Sequence, residues 1–344
     1  MHRQRIDWID TLKGIGIVLV VIGHSTSGTI YDLIYLFHMP LFFIIAGMVF
    51  RPTPMAAYIL RRARTLLVPY AVFLVALSLL EALLDVRSGK ALPQIATDLA
   101  ASFPQDLYGG RALTGDFGAF WFVPTLFLAL CAYNLLRNWL GQPDSPRMTA
   151  AMLAIFLAAY PLGPLNTPWN LSVDAMALVF IWVGDLWSTF FQLRPDDRPE
   201  YPHPNGTVFR PEVPAILAVA ISTAAAGLLL AEPFDMKFGN YGTPLLSVLN
   251  AVAITHLLAT ACRALCRHPA FTRVFVPLGQ ASLVILFVHR FFVLHLLDRL
   301  PVPAVVTIAL AIPFLVWLVL RRAATLPRFL FLGDALSHRA TLLD

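Results

Sequence analysis

Charged residues are scarce in this chain. Asp, Glu, Lys and Arg make up 13% of its 344 residues and hydrophobic residues 58%, whereas charged residues form about a quarter of a typical soluble domain. The mean hydropathy is +0.72. This composition excludes an ordinary soluble protein and predicts an integral membrane protein. The basic residues are too widely spread to form a nucleic-acid-binding surface.

Cysteine is almost absent too. The three cysteines, Cys131, Cys262 and Cys266, are too few for a disulfide framework and lie in or beside apolar segments. Cys262, Cys266 and His268 have helical spacing but lack a fourth ligand, so we expect no metal site. The sequence also lacks internal repeats and low-complexity tracts, and we expect a single membrane-embedded domain over residues 1–344.

Long apolar runs make up most of the sequence. Ten stretches are long enough to approach the thickness of a bilayer. They lie near residues 8–28, 33–51, 65–84, 119–139, 148–162, 171–191, 213–231, 243–262, 279–298 and 302–320. With the N-terminus in the cytoplasm, 18 Lys and Arg residues fall in cytoplasmic segments and 5 in outer loops. This bias predicts an all-α protein with ten transmembrane helices and both termini in the cytoplasm.

The first apolar run contains two ionisable residues, Lys13 and His24. Eleven residues of α-helix return to nearly the same face, about 20° off, after a rise of about 16 Å. Ionisable groups inside a bilayer are costly and by default mark a functional site. Asp10 precedes Lys13 by three residues and is positioned to hold its ammonium group.

The second run contains His38 in Phe37-His38-Met39-Pro40. If this helix runs back inward, His38 lies at the same outer depth as His24, and Pro40 is expected to kink the helix beside it. Two imidazoles at one depth suit removal of a proton from a hydroxyl group. The alternative is that each imidazole only bonds a neighbouring helix.

A basic segment follows, ending in Arg61-Arg62-Ala63-Arg64. Arg61 and Arg64 are three residues apart and are expected to share a face at the start of a helix. Paired guanidinium groups suit a pyrophosphate or phosphate ligand. Equally, arginines at this position fix topology or bind lipid head groups.

Later residues are weaker candidates for contact with a substrate. Trp121 begins the fourth apolar helix and can equally be an interfacial aromatic. Ser282, His289 and Arg290 lie in the ninth. An arginine in mid-helix needs an acceptor, and the sequence offers a carboxylate from Asp174, Asp185 or Glu81 without choosing between them.

Taken together, these residues resemble membrane acyltransferase family 3. The matching landmarks are Asp10-x2-Lys13-Gly14, Lys13-x10-His24, Phe37-His38-Met39-Pro40, Arg61-x2-Arg64, Trp121-Phe122 and Gly279-x2-Ser282 followed by His289. The opening stretch and the Phe-His-Met-Pro run are similar to the branch that includes fucose 4-O-acetylases and xanthan-type exopolysaccharide acetyltransferases.

The resemblance implies a ten-helix enzyme of the bacterial inner membrane. It implies an O-acetyltransferase that takes acetyl from cytoplasmic acetyl-CoA and acylates a sugar in a surface polysaccharide or its lipid-linked precursor, beside the polysaccharide synthesis machinery. His24 would be the catalytic histidine with Lys13 as its basic partner, and Arg61 and Arg64 would bind the CoA phosphates. Many members carry arginine at the position of Lys13.

These roles agree with the spacing of the residues. CoA phosphates at the arginines would leave the pantetheine arm to pass Lys13 and bring the thioester to His24. His24 would serve as general base, or as an acyl-carrying nucleophile. Ser25, His38 or a helix-end amide would stabilise the oxyanion.

Two other functions remain open on the sequence. One is transfer of a different acyl group, such as succinyl. The other is a transporter or flippase in which intramembrane His and Arg line a substrate path. The missing internal repeat speaks against the transporter.

Overall fold

A computed structural model describes residues 7–190, 212–230 and 232–335. Six of the basic residues counted as cytoplasmic lie outside the described residues: Arg3, Arg5, Arg194, Arg198, Arg210 and Arg339.

The described residues form fifteen α-helices and no β-strand beyond one isolated bridge between Asp235 and Asn240. The helices are α1 Asp7–Ser25, α2 Thr29–Tyr35, α3 His38–Met48, α4 Met55–Arg62, α5 Val68–Arg87, α6 Leu92–Tyr108, α7 Phe122–Leu140, α8 Pro146–Leu162, α9 Asp174–Phe190, α10 Glu212–Leu230, α11 Leu246–Leu265, α12 Pro269–Gln280, α13 Ser282–Leu296, α14 Val302–Arg322 and α15 Thr325–Leu332. The all-α prediction is confirmed for this part of the chain.

Seven helical segments are long and apolar enough to cross a membrane, and an eighth is added if the bent pair α12–α13 forms one span. Two shorter apolar helices, Pro146–Leu162 and Val219–Leu230, account for the remaining predicted runs. Every predicted run therefore coincides with a helix. The count of ten spans and the orientation of the termini stay predictions.

The second predicted run is not one continuous helix. It consists of α2 and α3, and the break falls at Leu36 and Phe37, directly before His38. The kink expected at Pro40 is therefore wrong in position. Pro40 lies in the first turn of α3, where its missing N–H has no helical partner to lose.

The described residues divide into two compact units. Unit 1 takes them from Met1–Pro52, Ala132–Leu165 and Ser172–Gln280, and unit 2 from Thr53–Cys131, Asn166–Leu171 and Ala281–Asp344. In unit 1, α1 packs on α11 and α12, α3 on α9, α8 on α9, and α10 on α11. In unit 2, α13 packs on α14 and on the turn Gly115–Phe117, and α15 packs on α5.

Two glycines allow α3 and α9 of unit 1 to touch backbone to backbone. A Cβ at Gly47 would lie 2.0 Å from the carbonyl oxygen of Ile181, and one at Gly184 would lie 2.0 Å from that of Ile44. Only glycine fits at either position, so this close approach fixes α3, which begins with His38.

A buried ion pair joins α7 and α9 within unit 1. Arg137 Nε donates to Asp185 Oδ2 at 2.7 Å, and Tyr133 donates its hydroxyl to the same oxygen at 2.9 Å. The Arg137 and Asp185 side chains are 5% and 0% exposed. Arg137 also donates to the carbonyl of Gly141 and the amide of Gln142. Because both charges have several partners, the pair has a structural role.

We expect Arg137→Ala to destabilise the protein by about 3 kcal/mol, because it leaves the Asp185 carboxylate buried without its cation. The matched control is Arg328→Ala, since Arg328 is paired with Asp334 at an exposed site and is worth at most about 1 kcal/mol. Thermal unfolding in detergent compares them. Equal losses of melting temperature would contradict the structural role of the buried pair.

Candidate functional site

Helix α1 carries three of the candidate residues of unit 1. It runs without interruption from Asp7 to Ser25, so Lys13 and His24 lie on one helix as expected. Lys13 Nζ lies 3.1 Å from Asp10 Oδ1, and the two side chains are 30% and 13% exposed. The ion pair expected from the spacing is therefore present.

The turn that holds this ion pair is pressed against α12. A Cβ at Gly279 would lie 1.8 Å from the carbonyl oxygen of Asp10, and one at Gly14 would lie 2.2 Å from that of Phe275. No side chain fits at either position. The two glycines therefore fix the backbone that carries Asp10 and Lys13.

His38 lies buried at the start of α3, with one ring nitrogen already used. Its Nδ1 is 3.0 Å from the carbonyl oxygen of Ile34. Because a carbonyl oxygen only accepts, Nδ1 carries the proton in this bond, and a neutral ring keeps its lone pair on Nε2. His38 therefore presents a hydrogen-bond acceptor rather than a donor.

Tyr35 brings the two histidines into one cluster. Its ring centroid lies 4.3 Å from that of His38 and 6.4 Å from that of His24. Tyr31, one turn earlier on α2, stacks on Tyr35 with centroids 3.8 Å apart. Sequence reasoning missed both tyrosines; their i, i+4 spacing beside the Phe-His-Met-Pro run was the available signal.

Ser25 is a poor oxyanion donor. Its hydroxyl is buried and donates to the carbonyl oxygen of Val21 at 2.8 Å. This proton is already committed to the helix backbone, so the expectation for Ser25 is disfavoured. His38 in its neutral form is disfavoured as a donor for the reason given above.

The arginines lie in unit 2, and their local structure differs from the expectation. Arg61 and Arg62 end α4, and Arg64 lies in a π-helical turn, Ala63–Leu67, that joins α4 to α5. The expected helix start at this point is wrong. The wider turn also changes the angle between Arg61 and Arg64 from that of an α-helix.

Arg62 adds a third guanidinium group to the two predicted ones. The guanidinium carbons of Arg61 and Arg62 lie 5.3 and 5.1 Å from the ring centroid of Tyr58. Arg61 also experiences repulsion from Arg62 and Arg64. Three cations within four residues form a concentrated positive site, and sequence reasoning had singled out only two of them.

Two donors of this cluster have no acceptor. Within the described part of the chain, Nε of Arg62 and Nε of Arg64 are buried without a hydrogen-bond partner. A buried donor without a partner is costly, and an anionic ligand would remove that cost. This favours an anion site over a purely topological role.

The late candidates of unit 2 occupy one helix and its surroundings. Ser282 begins α13 and is partly buried, while His289 is fully buried, with Nδ1 2.9 Å from the carbonyl oxygens of Ile285 and Leu286. Trp121 is buried immediately before α7. These placements favour packing roles for His289 and Trp121 over contact with a substrate.

Arg290 lies against the turn Gly115–Phe117, where its Nε donates to the carbonyl oxygen of Gly115 at 3.4 Å. Beside it, Oδ2 of the buried Asp116 lies 3.8 Å from Nδ1 of His295, and Asp116 and Glu81 interact electrostatically. Of the carboxylates considered for Arg290, Asp185 binds Arg137. Sequence reasoning did not anticipate Asp116.

The structure thus groups Asp10 with Lys13 and groups His24 with His38 in unit 1. In unit 2 it groups Arg61 and Arg62 around Tyr58 and places Ser282, His289 and Arg290 on α13. A family profile described as an acyltransferase domain matches residues 6–322. The chain belongs to acyltransferase family 3. Neither the curated proteins nor the solved structures contain a match.

Family membership gives the chain a general activity. This family 3 acyltransferase transfers acyl groups, and its apolar helices make it a multi-pass membrane protein. The matched range includes every candidate residue from Asp10 to Arg290.

We expect Gly279→Ala to lower the stability of the acyltransferase by about 1–3 kcal/mol, because its Cβ would collide with the backbone at Asp10. Gly23→Ala is the control, since its Cβ would meet a side-chain methyl of Ile34 at 3.0 Å. Melting temperatures in detergent measure both. A fall in melting temperature for Gly23→Ala as large as that for Gly279→Ala would contradict the predicted backbone collision at Gly279.

Proposed function

We propose that this protein is an O-acetyltransferase of the bacterial inner membrane. It moves an acetyl group from cytoplasmic acetyl-CoA to a sugar hydroxyl of a surface polysaccharide or of its lipid-linked precursor. The observation that carries the proposal is the grouping of His24 and His38 around Tyr35 in a member of an acyltransferase family.

His24 is the general base in this proposal. It removes the proton from the sugar hydroxyl as the oxygen attacks the thioester carbonyl carbon. The tetrahedral intermediate then expels the CoA thiolate, the C–S bond breaks, and the proton held by His24 passes to the sulfur. The products are the sugar acetate ester and CoA, and His24 returns to its neutral form.

His38 orients the acceptor. With Nδ1 bonded to Ile34, its Nε2 accepts a hydrogen bond and suits a sugar hydroxyl next to the reacting one. Such a bond holds the acceptor without competing for its reactive proton, and a fixed geometry of this kind contributes to rate.

The arginines bind the CoA phosphates in this proposal. Support comes from the three closely spaced guanidinium groups and from the buried Nε donors of Arg62 and Arg64 that lack an acceptor. Planar guanidinium groups match phosphate oxygens in geometry and charge. Lys13 offers only a point charge and is already paired with Asp10, so we assign it a secondary part in holding the donor.

The choice of acetyl and sugar rests on resemblance. The Trp8-to-Gly16 stretch and the Phe37-to-Pro40 run are similar to the branch of fucose 4-O-acetylases and exopolysaccharide acetyltransferases. Succinyl transfer and transport are therefore outcomes for the test to separate.

We expect His24→Ala to lower transfer of radiolabelled acetyl from acetyl-CoA to membrane glycans by about a hundredfold or more. Its binding of acetyl-CoA, measured by calorimetry in detergent, should stay within about twofold of wild type, because a general base contributes to the transition state. Full transfer by folded His24→Ala would refute the assignment of the base.

The same calorimetry tests the donor site. Arg61→Ala and Arg64→Ala should each weaken acetyl-CoA binding by about tenfold, because each removes a charge-assisted hydrogen bond. Arg87→Ala, at the opposite end of α5 in the same unit, is the control and should bind normally. Tighter binding of succinyl-CoA than of acetyl-CoA would identify succinyl as the transferred acyl group. Absence of any acyl-CoA binding by intact protein would favour transport.

A further inference from the structure

The side chains of α2 point to a site for the acceptor. Tyr31 and Tyr35 are one helical turn apart, and their rings are nearly parallel, 26° apart with centroids at 3.8 Å. The two rings therefore form one stack, which we call the tyrosine stack.

The tyrosine stack has an inner and an outer end. Tyr35, the inner ring, lies against His38 and faces the edge of His24. Tyr31, the outer ring, is only partly buried and belongs to a stretch in which Gly28, Thr29, Ile30 and Asp32 are exposed. The stack thus leads from the exposed end of α2 to the two imidazoles, and Tyr31 lies within the length of a disaccharide from His24.

The segment after α10 is hydrogen-bonded to the end of α2. Phe234 donates its backbone N–H to the carbonyl oxygen of Tyr35 at 2.8 Å. The next residue, Asp235, is partly buried and close enough to Tyr31 for a coulombic interaction, as is Asp32. Two carboxylates therefore act electrostatically on the Tyr31 hydroxyl.

The backbone of Asp235 is held by local hydrogen bonds. Its carbonyl oxygen accepts the N–H groups of Phe238 and Asn240 at 3.3 and 3.0 Å. Burial raises its pKa, and the charge of Lys237 opposes that effect. A carboxylate close to an aromatic ring is an acceptor for hydroxyl groups of a ligand packed on that ring.

We infer that the tyrosine stack, with Asp235 beside it, is the acceptor-binding subsite and that it holds a sugar ring next to His24. The apolar face of a pyranose carries C–H groups that pack on an aromatic ring, while its hydroxyl groups donate to carboxylates. Aromatic rings suit this task because they supply rigid, amphipathic surface. This inference rests on the proposed function and names where its acceptor binds.

The tyrosine stack also has a purely structural explanation, which predicts different kinetics. The stack would also form if its task were only to hold the imidazole rings in place. In that case, loss of the outer ring would lower the rate for every acyl acceptor, including water. A binding role instead raises the KM of the sugar alone.

The experiment compares wild type, Tyr31→Ala, Tyr31→Phe and Trp139→Ala as full-length proteins in detergent. Trp139 is 78% exposed and belongs to no candidate site, so it controls for loss of an aromatic ring. The acceptors are p-nitrophenyl glycosides of glucose, galactose, mannose and fucose. Membranes from source cells that lack this protein supply the native glycans as a further acceptor. Hydrolysis of acetyl-CoA in the absence of sugar reports the chemistry at His24.

We expect Tyr31→Ala to raise the KM for the accepted sugar by about tenfold, the size of one lost aromatic contact. The KM for acetyl-CoA and the rate of hydrolysis should stay within about twofold, since neither involves the acceptor. Tyr31→Phe should retain most of the affinity because it keeps the ring, and Trp139→Ala should match wild type.

Other results would overturn the inference. An unchanged acceptor KM in Tyr31→Ala, or a parallel fall in transfer and hydrolysis, would assign the stack a structural role. If wild type hydrolyses acetyl-CoA but acetylates neither glycosides nor native glycans, the sugar acceptor is wrong while the donor site stands. If it neither binds nor hydrolyses acetyl-CoA, the proposed function itself fails.

Discussion

Polar groups within apolar helices must find partners inside the protein, because lipid offers none. This constraint divides the buried polar residues by how many of their hydrogen-bonding groups have partners. Arg137 and Asp185 are saturated by several partners and brace α7 against α9. His38 has one nitrogen bonded and the other left as an acceptor. Arg62 and Arg64 retain buried donors without acceptors. His38 and the arginines therefore keep polar atoms that the proposed ligands would use, whereas Arg137 and Asp185 are taken up by each other and by their neighbours.

Glycine provides the second level of organisation, since a polar site is useful only if its backbone is fixed. Gly279 and Gly14 bring α12 and α1 together beside the Asp10–Lys13 pair, and Gly47 and Gly184 do the same for α3 and α9. These contacts join backbone to backbone. They therefore do not adjust as side chains do, and they hold the helices that carry Lys13 and His38.

The fold and the location of the candidate residues were largely predictable. Hydrophobic length located the helices of all ten apolar runs, and helical periodicity placed Asp10, Lys13 and His24 on α1. It did not predict α4, which carries Arg61 and Arg62. Local backbone departures were not predictable. The break before His38 and the π-helical turn at Arg64 leave the hydrophobic pattern unchanged, so the length of an apolar run does not reveal them. Asp116 was missed because its neighbour His295 is remote in sequence. Arg62 and Tyr35 were missed although Tyr58, Tyr31 and His38 lie within four residues of them.

The cluster around Tyr35 also addresses a problem that every acyltransferase shares, which is competition from water. A general base beside a thioester will activate water as readily as a sugar hydroxyl unless the acceptor occupies the site first. Tyr35 packs against His38 and lies near His24, and its ring presents apolar surface close to both imidazoles. In the proposed function, a sugar bound by ring stacking and by the acceptor nitrogen of His38 would gain contacts that water cannot make. Selectivity for a carbohydrate over water would then follow from the tyrosine stack, which binds the acceptor and leaves the chemistry to His24.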